Sequence, residues 1–197
     1  MNQGGIVLKS KKWALCVLVF MLLVFAGCTR ATEEGMELFE QKKYDEALEL
    51  FQKEAESGEE QAEAYLGMGL VYWEQQKYEG ARNAFQKALN AGTEKTGTLY
   101  NLLASCEMQL GDYQSALNHY NLGLQSEGNS AELTQEMEFN QIAAYEKLYD
   151  WESAKAKIEE YIAKYPDDEA AKKEAEFFAD KIKIRGSGDY SLPSIFP

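Results

Sequence analysis

Four segments of this chain share one spacing of aromatic, alanine and bulky apolar residues. In each segment an aromatic residue is followed three positions later by alanine, and four positions after that by a bulky apolar residue. The alanines are Ala47, Ala81, Ala116 and Ala154, at successive separations of 34, 35 and 38 residues. Spacings of three and four place such residues on one face of a helix. The chain is therefore predicted to fold as a series of similar helical units.

The pattern also extends into a preceding helix. Twelve residues before three of the alanines stands a small residue, namely Gly35, Gly69 or Ala104, and Ile142 takes this place in the fourth copy. This arrangement resembles the tetratricopeptide repeat, which has a period of 34 residues and folds as a helix–turn–helix hairpin. The resemblance implies an all-α fold, a right-handed α-solenoid of about four repeats with a C-terminal capping helix.

The repeats and the breaks between them predict the organisation of the whole chain. We expect a signal peptide over 1–27, repeats over 28–168 (about 28–61, 62–95, 97–130 and 135–168), a capping helix over 169–185 and a flexible tail over 186–197. Thr32 is predicted to cap the first helix of the first repeat, and Ser130 the first helix of the fourth. The final helix is expected to cover the open end of the repeats, because solenoids need a polar terminal cap.

The N-terminus has the features of an export signal. Three lysines precede an unbroken small or apolar run from Trp13 to Gly27, which is shorter than the ~20 residues that span a bilayer. The residues Phe25-Ala26-Gly27-Cys28 resemble the lipobox of bacterial lipoproteins. That resemblance implies a lipid on Cys28 and an exported protein anchored to the extracytoplasmic face of the bacterial cell membrane. An uncleaved signal anchor with an incidental cysteine is the alternative.

Composition and charge restrict the classes of partner. Apolar residues make up 45% of the 197 residues and charged residues 27%, which is typical of a folded protein. The formal charge is −13, and the chain beyond residue 27 holds 17 basic and 33 acidic residues. Such an acidic body repels phosphate backbones, so we expect no nucleic-acid partner.

No catalytic or metal-binding pattern stands out in the sequence. His119 is the only histidine, so neither a catalytic triad nor a zinc site can be assembled around several histidines. The run Gly67-Met68-Gly69 lies within a helical pattern and is predicted to serve packing rather than phosphate binding. Cys106 has leucine neighbours, which favour a buried and inert thiol over a reactive one. We therefore predict a protein that is not an enzyme and has no cofactor or metal. The alternative, an enzyme, would require several titratable side chains clustered in one pocket.

The resemblance implies a concave groove lined by the inner face of the first helix of each repeat. By alignment, the predicted partner-binding residues are Met36, Phe39, Glu40, Leu66, Leu70, Trp73, Glu74, Asn101, Met108, Phe139 and Glu146. Apolar and acidic residues together favour a protein or peptide partner with a basic or apolar segment. The predicted function is a membrane-anchored scaffold for protein interaction. The alternative is a structural subunit of a cell-envelope assembly or secretion complex, docked through its convex face.

Overall fold

The computed structural model describes residues 30–58 and 60–187, which fall into two compact units on either side of Asn129 and Ser130. Within the described residues there are nine α-helices and no strand, which confirms the all-α prediction. The predicted signal peptide, Cys28 and residues 188–197 of the predicted tail lie outside the described residues. None of the helices from residue 30 to residue 187 is both long enough and apolar enough to cross a bilayer.

Unit 1 contains three helical hairpins and unit 2 contains a hairpin followed by one further helix. In unit 1 the helices are α1 (Arg30–Glu40), α2 (Tyr44–Ser57), α3 (Gln61–Glu74), α4 (Tyr78–Asn90), α5 (Gly97–Leu110) and α6 (Tyr113–Gln125). In unit 2 they are α7 (Ala131–Lys147), α8 (Trp151–Lys164) and α9 (Glu169–Ser187). The last helix thus extends two residues beyond the predicted boundary at 185.

The four hairpins turn through the same backbone conformation. Each turn contains one residue with positive φ, namely Lys42 (61°), Gln76 (59°), Gly111 (80°) and Tyr149 (57°). The next backbone N–H donates to a carbonyl five residues earlier, as from Lys43 to the oxygen of Leu38 at 2.9 Å. This 6→1 bond is the mark of a Schellman helix end, and it satisfies a carbonyl that the helix leaves unpaired.

The repeated residues form the hydrophobic core of each hairpin. The four alanines are fully buried, and the bulky residues that follow them, Phe51, Phe85, Tyr120 and Ile158, are at most 1% exposed. The ring of Phe51 lies between Gly35 of its own repeat and Gly67 of the next. A Cβ atom on these glycines would lie 2.7 and 2.5 Å from the ring. Gly69 approaches Phe85 equally closely, so the glycines of α3 serve packing, as predicted.

In unit 2, helix α8 packs against both α7 and α9. Tyr161 of α8 joins the three helices through its hydroxyl group. The hydroxyl donates to Oδ2 of Asp168 at 3.0 Å and accepts from Nε2 of Gln135 at 2.9 Å. Oδ1 of Asp168 in turn accepts from the backbone N–H of Ala171 at 3.0 Å and so caps α9.

One of the two predicted N-caps is confirmed and the other is wrong. Oγ of Ser130 accepts from the backbone N–H of Leu133 at 3.1 Å, as a cap of α7 should. Thr32 lies inside α1, which begins at Arg30. The Thr32 side chain is buried, so its hydroxyl needs a partner, and Oγ1 donates to Oε2 of Glu60 at 2.8 Å. This bond ties the first repeat to the start of the second instead of capping a helix.

Candidate functional site

Nine of the eleven predicted partner-binding residues lie on the first helices of the repeats in unit 1. Phe39, Leu66, Leu70 and Asn101 are only 5–7% exposed, so they pack between helices and offer little surface. Met36, Trp73 and Met108 are half-buried, and Glu40 and Glu74 are exposed. A partner approaching unit 1 would therefore meet the last turns of the first helices, not their centres.

Two aromatic pairs recur at the ends of these helices. The ring centroids of Phe39 and Tyr44 lie 5.8 Å apart, and those of Trp73 and Tyr78 lie 5.3 Å apart in an edge-on contact. In both pairs the penultimate residue of the first helix touches the first residue of the second helix. The turns of the first two repeats thus each carry an aromatic pair, in which Tyr44, Trp73 and Tyr78 are only partly buried.

The charge of Glu74 reaches the neighbouring repeat. Burial and the negative charge of Glu74 together raise the pKa of Tyr44. These two side chains come from neighbouring repeats. Together with Glu40, Trp73 and Tyr78, which also lie where a first helix ends or a second helix begins, they are here named the turn face. It combines aromatic rings with carboxylates.

Glu40 and Glu74 occupy electrostatically unfavourable positions. They are the last residues of α1 and α3, and neither helix has a basic residue in its last turn. A helix C-terminus carries a partial negative charge, which repels a carboxylate. Each carboxylate therefore adds negative charge to the negative end of its helix, and the exposed Lys42, Lys43 and Lys77 follow in the same turns.

Replacing both acids by lysine should make the fold more stable. We expect Glu40→Lys with Glu74→Lys to raise the free energy of unfolding by about 1 kcal/mol in total, because each lysine complements a helix dipole. Urea denaturation measures the change. The matched control is Glu49→Lys with Glu94→Lys, which makes the same change in net charge at exposed positions, one in the middle of α2 and one in the loop before α5. An equal gain in the control would contradict the dipole explanation.

The other two predicted residues lie in unit 2. Phe139 is half-buried, and its ring centroid lies 5.4 Å from that of Tyr161. Glu146 is also half-buried. The pKa of Glu174 is raised mainly by the burial of Glu174 and further by the negative charge of Glu146. Sequence reasoning did not select Glu174 or the aromatic residues Tyr149, Trp151 and Phe177, which form a chain of ring contacts in this unit.

His119 has a packing role. Its ring stacks on Tyr100 with centroids 6.0 Å apart, and Nδ1 lies 2.7 Å from Oε2 of the buried Glu107. Cys106 is fully buried, and burial raises the pKa of its thiol to about 12, which makes it inert. Over the described ranges, no three or more His, Cys, Asp or Glu side chains are arranged to hold a metal ion.

Two sequence profiles, each of the Tetratricopeptide repeat family, match residues 60–126 and 138–168. Both stretches are tetratricopeptide repeats. No curated protein matches the sequence.

Solved structures show the same fold. The crystal structure of YrrB, described as a TPR protein with an unusual peptide-binding site, matches with a TM-score of 0.68 and 21% identity. The match covers 87% of this chain and 86% of YrrB. MamA from Desulfovibrio magneticus RS-1 matches with a TM-score of 0.64 and 12% identity, over 82% of this chain and 90% of MamA. A fold of this kind is typical of scaffolds for protein interaction.

Proposed function

We propose that this protein is an interaction scaffold whose turn face binds a basic or apolar segment of a partner protein. The observation that carries the proposal is the half-buried Trp73 beside the exposed Glu74, whose charge extends to Tyr44 of the neighbouring repeat. Peptide binding by YrrB, which has the same fold, supports this kind of function.

Binding at the turn face combines burial with charge attraction. An apolar side chain of the partner packs against the rings of Trp73 and Tyr78, and tryptophan and tyrosine are both enriched among binding hot spots. An ammonium or guanidinium group of the partner approaches Glu40 and Glu74 at the negative ends of their helices. Charges at the rim of an interface act mainly on the rate of association, so we expect binding to weaken with salt.

Site-specific photo-crosslinking tests the proposal. A photo-reactive p-benzoylphenylalanine in place of Glu74 is expected to capture a partner in intact cells. The matched control carries the same group in place of Asn83, which is exposed on the second helix α4. Capture at position 83 but not at 74 would overturn the proposal in favour of docking through the second helices.

The alternative, permanent docking in an envelope assembly through the second helices, has less support. Leu122 is the one second-helix residue among the large apolar side chains that are exposed in the described part of the chain. Obligate interfaces usually bury large apolar patches. A single leucine is small for such an interface.

The proposal includes attachment to the extracytoplasmic face of the bacterial cell membrane. It rests on the short apolar run and the Phe25-Ala26-Gly27-Cys28 sequence. The lipobox resemblance implies a diacylglycerol on Cys28. This lipid would hold the protein firmly, because two acyl chains anchor much more strongly than one. Such an anchor restricts the partners to proteins at the same membrane surface.

Loss of the anchoring thiol should release the protein. We expect Cys28→Ser to abolish lipid attachment and to move the protein from the detergent phase to the aqueous phase in a detergent-partition assay. Mass spectrometry of the N-terminal peptide checks the lipid directly, and Cys106→Ser is the control for loss of a cysteine. If wild type carries no lipid and both variants partition as it does, the chain has a signal anchor instead.

A further inference from the structure

Unit 2 displays a chain of aromatic rings that the fold does not fully cover. The ring of Trp151, at the start of α8, lies 5.8 Å from Tyr149 and 6.1 Å from Phe177 of α9, both in edge-on contacts. Tyr149 is 72% exposed and Phe177 is 39% exposed. Exposed aromatic rings that touch one another form an apolar patch, and such patches commonly mark interaction sites.

Two carboxylates adjoin this patch. Glu174 lies one helical turn before Phe177 on α9, and Glu146 lies three residues before Tyr149 at the end of α7. Burial of Glu174 first, and then the negative charge of Glu146, raise the pKa of Glu174. No ion pair joins either of them to a side chain within the described ranges. Two neighbouring half-buried carboxylates attract a cation more strongly than isolated exposed ones do.

We propose that Glu146, Tyr149, Trp151, Glu174 and Phe177 form a second docking surface, the ladder face, which binds a protein segment with alternating arginine and apolar residues. The guanidinium group lies between Glu146 and Glu174, and the apolar neighbours cover Tyr149 and Phe177. Charge complementarity selects the cation, and the open rings select the apolar residues that flank it.

Arginine suits the ladder face better than lysine does. Its planar guanidinium can donate to two carboxylates at once and can stack on a tyrosine ring. One ring of the face already attracts a cation within the protein, since Nζ of Lys181 lies 5.0 Å from the centroid of Phe177. Tyr149 has no such cation in the described part of the chain and is free to receive one from a partner.

Anisotropy measurements with a defined peptide test the ladder face directly. The probe is a fluorescein-labelled peptide of sequence Arg-Leu-Arg-Leu-Arg-Leu, titrated with the full-length chain in a non-ionic detergent. The comparison peptide, Arg-Gly-Arg-Gly-Arg-Gly, has the same charge without the apolar side chains. We expect the first peptide to bind about tenfold more tightly than the second, because it alone covers the rings.

Variants assign the binding to the ladder face. We expect Glu146→Gln with Glu174→Gln to weaken binding of the leucine-containing peptide about tenfold, because two close charge pairs are lost. The matched control, Glu152→Gln with Glu176→Gln, removes the same charge from exposed positions on α8 and α9 and should leave affinity unchanged. Tyr149→Ala should also weaken binding, and its exposure makes the substitution safe for folding.

Three results would overturn the proposal that the ladder face binds such a segment. Equal loss of affinity in the two double variants would show that net charge alone attracts the peptide. Loss of binding in Trp73→Ala but not in Tyr149→Ala would place the peptide on the turn face of unit 1, and so distinguishes the two surfaces. A large gain in affinity in a chain that stops after Ser187 would show that residues 188–197 are the occupant instead of a partner.

Discussion

Phe51→Ala is expected to lower the free energy of unfolding of unit 1 by about 4 kcal/mol, within the range measured for buried phenylalanines. The ring is 1% exposed and lies between the helices that carry Gly35 and Gly67. Its loss leaves a cavity between two repeats, because helices that meet across a ring cannot collapse fully onto an alanine. Urea denaturation monitored by circular dichroism measures the effect.

The effect of Gly67→Ala on stability should change from a loss to a gain when the ring of Phe51 is absent. In the wild type, Gly67→Ala would place a Cβ atom 2.5 Å from the ring of Phe51, so we expect a loss of about 2 kcal/mol. In Phe51→Ala the same change fills part of the cavity and gains helix propensity, which is worth about 1 kcal/mol for glycine to alanine. The double variant should therefore be more stable than Phe51→Ala alone. Additive losses would contradict the packing described for this ring.

Ala81→Trp should destabilise unit 1 by about 3 kcal/mol or more, because it overpacks a helix crossing that has no free volume. Ala81 is fully buried where α4 packs against α3. The control is Ala91→Trp at an exposed position in the same hairpin, which should change stability by no more than about 0.5 kcal/mol. If Ala81→Trp melted at the wild-type temperature, the assigned register of the repeats would be wrong.

The sequence was sufficient to predict the hairpins because the spacing of Ala47, Phe51 and their equivalents specifies which helix face is buried. The cap at Thr32 was wrong because a threonine before acidic residues has the composition of an N-cap, while its burial and its bond to Glu60 depend on the neighbouring repeat.

The surfaces were harder to predict than the core. Alignment alone could not separate Leu70, which packs between helices, from Trp73, which keeps an open side, because both lie on the same helix. The ladder face was missed because it joins a turn to α9, which has no counterpart in the repeat pattern. A usable signal was present for Glu107, which stands where the other copies have Leu38, Tyr72 and Tyr145. An acid at a buried apolar position predicts a polar partner for it, here His119.

The most direct test of the proposed function compares binding with stability in one pair of variants. The partner captured at position 74 is titrated with Glu40→Lys/Glu74→Lys and with the control Glu49→Lys/Glu94→Lys, and the free energy of unfolding is measured for both. If the partner binds at the turn face, its affinity should be at least about tenfold lower in the first variant, although the fold of that variant is more stable. The affinity of the control should change little. Equal affinities for the two variants would contradict binding at the turn face.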